Sequence, residues 1–107
     1  MTARVQQLVS AGRLERVPAD PARARAMLAE AGLHLTSATT IAGSDANGAY
    51  QLLYDVARKA LWAHMLAHGY RPSNAAGAHA TAAMYAVAAL EDRQSADAFD
   101  RMRRSRN

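Results

Sequence analysis

At 107 residues the chain is long enough for one domain with a real but modest core, and half of its residues are apolar. Without cysteine it can build no disulfide framework, no thiolate metal site and no cysteine nucleophile. Formal net charge is +4, unevenly spread: residues 1–90 hold eight basic and five acidic side chains, 91–100 are net acidic, and the last seven carry Arg101, Arg103, Arg104 and Arg106.

Much of the apolar content is alanine, the best helix former; β-branched residues are few and no run alternates with period two. An all-α fold is expected, with little support for strands. No stretch of about 18 apolar residues occurs, so no membrane span is expected. The opening MTARVQQLVSAGRLER has too short an apolar run for a signal peptide, and the absence of cysteine fits a cytoplasmic location.

In chain order, Val5, Leu8 and Val9 predict a short helix ending near Gly12, within an N-terminal extension over 1–19. The remainder, 20–107, reads as a bundle, the whole chain forming a single domain. Asp20 as N-cap and Pro21 at the first helical position open a long helix. Met27, Leu28, Ala31, Leu35, Ala38 and Ala42 give it one apolar stripe, and it should end between Thr40 and Ala42. A short loop over 43–48 favours an antiparallel neighbour.

That neighbour, over 50–68, is the central helix. Gln51, Asp55, Arg58, Lys59 and Trp62 share one narrow stripe, and apolar residues cover the rest, so other elements should surround it. Gly69 and Pro72 stop it and a loop over 69–74 follows. A helix over 75–90 should turn His79, Met84, Val87 and Leu90 inward. Ser95 should cap a last helix holding Phe99 and Met102, still running at Asn107, as if more chain followed. The expected architecture is an antiparallel up-down bundle of four main helices plus the short N-terminal one.

Candidate chemistry is sparse. His64 and His68 stand four apart on one helix face, a metal-pair spacing, but Met65 stands where a metalloprotease has Glu. Imidazoles serving the helix C-terminus are the favoured reading, and no metal or cofactor is expected. Asp55 precedes Arg58 and Lys59 by three and four residues, as an intrahelical ion pair does. The same stripe, ending at Trp62, also suits a partner surface. Tyr50 and Tyr54, four apart, suit a core or a dimer face. The four terminal arginines make a field able to hold phosphates, or simply a solvated helix end. Neither a Ser/His/Asp signature nor a Gly-rich phosphate loop occurs.

Three segments together resemble the HEPN superfamily, small helical bundles of toxin–antitoxin, abortive-infection and other defence systems. Ala49-Tyr50 with Tyr54-Asp55-Val56-Ala57-Arg58-Lys59-Ala60-Leu61 is similar to the family's A-Y-x-x-x-Y-x-A-A-x-K-A-L helix. Gly77-Ala78-His79 resembles the turn and His that open the next helix. The run from Phe99 through Arg106-Asn107 is similar to the arginine-rich helix in which many members carry Arg-Asn and then His, four to six residues after the Arg.

In catalytic members that Arg and His form a metal-independent RNase site across a homodimer. Carried over, Arg106 matches the Arg and Asn107 the polar residue after it. The His has no counterpart within 107 residues, leaving His79 as the remaining acid–base candidate. The resemblance therefore implies a non-catalytic, dimeric binding or regulatory module. Its partners would be a cognate toxin or antitoxin protein and RNA, the latter held by Arg101, Arg103, Arg104 and Arg106. Its partner face would comprise Tyr50, Tyr54, Asp55, Arg58, Lys59 and Trp62. The alternative is a HEPN endoribonuclease toxin whose motif continues past Asn107.

Overall fold

The computed structural model describes residues 3–73, 77–90 and 93–106, with backbone alone for Arg106. The described residues are mainly helical: α1 (Ala3–Ser10), α2 (Pro21–Ile41), α3 (Ala46–Ala67), α4 (Ala78–Leu90) and α5 (Arg93–Arg106). Two short strands, β1 (Leu14–Arg16) and β2 (Tyr70–Pro72), complete the element order.

Asp20 caps α2 as its type predicts, its carboxylate accepting from the Arg23 amide at 3.0 Å, with Pro21 at the first position. α3 starts earlier than expected because Asp45 caps it in the same way, accepting from the Gly48 amide at 2.9 Å. Helices of 21 and 22 residues are each about 32 Å long, which explains a 44 Å long dimension against 29 and 24 Å.

α2 packs along α3 and on no other helix to a comparable extent. Ala24, Ala31 and Ala38, seven residues apart, are the buried positions of α2. On α3, Ala49 and Ala63 are buried and Val56, midway between them, is half-buried. Side chains this small at heptad spacing let the two backbones come close. The other face of α3 turns Tyr54, Leu61 and Met65 into the main core, against Val5, Leu14, Tyr70, Tyr85 and Phe99.

The link from α3 to α4 departs from an up-down course. β2 pairs antiparallel with β1, placing Leu14 opposite Pro72 and Arg16 opposite Tyr70. Gly69 makes the turn into β2 with φ +86°, where a Cβ would meet the Val17 carbonyl oxygen at 2.9 Å. The Val17 amide donates back to the Gly69 carbonyl at 2.9 Å. The chain has then returned part-way, and α4 crosses α3 in the same sense rather than the opposite one. Tyr54 of α3 meets His79 of α4, and ten residues on His64 meets Tyr85. α5 packs against α4.

Several expectations need correction. The segment expected as a loop after Gly69 contains β2. Met84 and Leu90, expected inward, are exposed, because α4 buries Thr81, Ala82, Ala83, Tyr85, Ala86 and Ala88 instead. Ser95 lies inside α5, which begins at Arg93. The expected start of α4 at 75 falls outside the described residues.

The alanine seam is directly testable. An Ala31→Leu variant must force three extra heavy atoms between α2 and α3, at a cost of about 1–3 kcal/mol. Urea unfolding should show a lowered midpoint; an unchanged midpoint would contradict close packing at Ala31.

Candidate functional site

The polar residues of α3 divide among three surroundings, so the expected partner face is not one surface. Tyr54 is fully buried. Its hydroxyl shares a 2.6 Å hydrogen bond with His79 Nδ1, and its ring stacks between His79 and Phe99, at centroid distances of 5.7 and 5.2 Å. This corrects its assignment to a dimer face: Tyr54 belongs to the core. Tyr50, one turn earlier, is half-buried.

Lys59 turns the other way, into the hairpin. It pairs with Glu30 of α2, and its Nζ lies 3.2 Å from His34 Nε2. Lys59 holds the Glu30 carboxyl below its usual range, first through the hydrogen bond and then through charge. It therefore serves the α2–α3 contact and is not displayed to a partner.

Asp55, Arg58 and Trp62 remain together between these two sides. Arg58 Nη2 lies 3.6 Å from Asp55, and its guanidinium sits over the Trp62 ring, 4.8 Å from the centroid. Arg58 Nε and Trp62 Nε1 are both hidden from solvent and make no hydrogen bond among the described residues.

The histidine pair is also split. The rings stack at 4.4 Å, but His68 Nδ1 turns to the His64 carbonyl at 2.8 Å, a helix-end contact. His64 Nδ1 lies 2.7 Å from the hydroxyl of fully buried Tyr85. Burial pushes the His64 pKa down, and the neighbouring His68 adds to this. Burial likewise pushes the Tyr85 hydroxyl up. Among the described residues no group of three His, Asp or Glu side chains is placed to hold a metal ion.

On α5, Asp100 gathers the arginines. Arg103 Nε and Nη2 donate to it at 3.0 and 2.8 Å, and Arg104 Nη2 lies at 2.6 Å. The Arg103 hydrogen bond is the main reason that the Asp100 carboxyl is held below its usual range. Arg101 is exposed and has no ion pair among the described residues. Arg106 closes α5; its side chain and Asn107 lie outside the described residues. Phe99, four residues before Arg103, links α5 through Tyr54 to His79.

The arrangement contains two tyrosine–histidine pairs across α3 and α4 that sequence reading missed. Nothing in one dimension marks them, since Tyr54 and His79 are 25 residues apart. The Glu30–His34–Lys59 cluster had a visible half, the spacing of four on α2. Its cation came from another helix.

Two predictions follow from these contacts. Tyr54→Phe removes the hydroxyl that His79 Nδ1 uses in a part-buried setting. The cost should be about 1–3 kcal/mol by thermal or urea unfolding, and no loss would contradict the bond.

The second concerns pH. A His64 pKa lowered on folding means that the unfolded chain binds the proton more readily. Stability is therefore lost as pH falls through the ordinary histidine range near 6.5. The Glu30 and Asp100 contributions, from lowered carboxyl pKa values, are lost only at more acid pH. His64→Gln should flatten the stability profile between about pH 7 and 5; an unchanged slope would contradict the assignment. The chain matches no protein-family model, no curated protein and no solved structure.

Proposed function

We propose that the chain is a non-catalytic, HEPN-like module that acts as a homodimer in the cytoplasm. It binds a protein partner of the toxin–antitoxin or defence type, with RNA as a further ligand of α5. In this reading the four longer helices are a variant of the family's up-down bundle. One observation carries it: α2 exposes three leucines, and over 31–44 the sequence has no Lys, Arg, Asp or Glu. Leu28, Leu33 and Leu35 are 49, 70 and 46% exposed on a helix whose main packing partner among the described residues is α3. Loss of charge with retained leucine is the composition of a surface that another molecule covers.

The polar groups support the absence of chemistry. His64 and His79 are each engaged by a fully buried tyrosine, and Asp100 takes up two of the α5 arginines. No helix among the described residues is long and apolar enough to cross a membrane.

A ribonuclease is the second reading, favoured by one contact. A tyrosine hydroxyl on Nδ1 is also how an acid–base imidazole is held in orientation. His79 would be the base and Arg106 the phosphate-stabilising cation, with Asn107 beside it.

The two readings separate in one assay. RNA incubated with the chain should stay intact, equally so with Arg106→Ala. Binding to unrelated single strands should weaken steeply with salt, with a log–log slope of about −0.7 per phosphate neutralised. Cleavage abolished by Arg106→Ala would install the ribonuclease instead, and a salt-independent profile would remove RNA from the reading.

A further inference from the structure

A cavity of about 500 Å³ opens where α2, α3 and β2 meet. Small-molecule sites occupy roughly 300–1,000 Å³. Met27 of α2 and Trp62 and Leu66 of α3 give this one apolar walls. Arg23, Arg71 and Ser73 complete it on the polar side, and no Asp or Glu among the described residues lines it.

The polar side is rich in donors. Arg23 has no ion pair, and the Ser73 hydroxyl has no hydrogen bond, among the described residues. Arg71 uses its Nε on Glu15 at 2.8 Å, which leaves its Nη groups as further donors. Trp62 Nε1 is closed to water and has no acceptor. The Tyr70 hydroxyl, at the same cavity, is held by the Gln6 side-chain amide at 3.2 Å. Donors without acceptors around one cavity mark a missing partner.

We infer that this cavity binds a small organic carboxylate. Its apolar body lies against Met27, Trp62 and Leu66, and its head group accepts from Arg23 and Arg71. A carboxylate meets a guanidinium with two parallel, charge-assisted hydrogen bonds, the strong kind. An ammonium head group would face like charge, and a neutral one would leave both cations unanswered. A bare inorganic anion would gain nothing from the apolar walls.

Both cations stand on fixed backbone. The Arg23 amide is the one that Asp20 caps at the start of α2. Arg71 lies opposite Glu15 in the β1–β2 pair, which also holds its side chain. A ligand therefore meets donors that are already placed, which lowers the cost of binding. The site is separate from the homodimer reading and makes no use of α5.

The chain's sole tryptophan reports on the cavity, because Trp62 lines it. Titrating the full chain with benzoate, phenylbutyrate and octanoate at millimolar concentration should change Trp62 fluorescence saturably for at least one acid. The amide of that acid, alike in shape and uncharged, should bind at least about tenfold more weakly, as the loss of a charge-assisted hydrogen bond requires. Arg23→Gln should weaken the acid by a similar factor with unchanged circular dichroism, since Arg23 is exposed.

No saturable change with any of these acids overturns the site. An amide that binds as well as its acid overturns the carboxylate class. Undiminished binding by Arg23→Gln overturns the placement of the head group. Should Arg23→Gln lose helix content, the comparison of acid and amide on the wild-type chain decides.

Discussion

The structure depends on α3 being packed from two opposite sides. One side, Ala49, Val56 and Ala63, is small and admits another backbone closely; the other, Tyr54, Leu61 and Met65, is large and fills a core. α2 satisfies the first side. α1, β1, β2, α4 and α5 gather on the second. Among the described residues α2 has α3 as its main neighbour, so much of its remaining surface is exposed. Leu28, Leu33 and Leu35 are exposed there.

Between its two apolar sides α3 carries polar groups that must find partners wherever helical geometry aims them. Lys59 falls at the edge of the alanine side and meets Glu30 and His34. Tyr54 falls in the core and meets His79; His64 meets Tyr85. Leaving such groups unpaired in a part-buried setting costs about 1–3 kcal/mol each. The two Tyr–His bonds thus fix how α4 crosses α3, and the same-sense crossing is possible because β2 has already turned the chain back.

The sequence made the helices legible and the interfaces less so. Asp20-Pro21 announced α2, and the breadth of apolar positions on α3 announced a helix covered on two sides. The three-residue strands were invisible because period two cannot be recognised over three residues, and their pairing joins positions more than 50 residues apart. Inward positions on α4 were misjudged because size was taken for burial: Met84 and Leu90 point out while alanines and Tyr85 pack in. For the candidate site, the Asp55–Arg58 pair was readable from a spacing of three. The separation of Lys59, Tyr54 and Trp62 onto different surroundings was not, since they lie within a few turns of one helix and only neighbouring elements distinguish them.

The reading proposed for the chain is a homodimer in which the exposed leucines of α2 are covered. Amide hydrogen exchange over a series of protein concentrations measures this element by element, because a helix with a single partner opens locally unless its other face is held. The account predicts that α2 exchange slows as concentration rises, most strongly around 28–35, while α4 and α5 remain unchanged. Exchange of α2 independent of concentration, or concentration-dependent protection confined to α5, would contradict it.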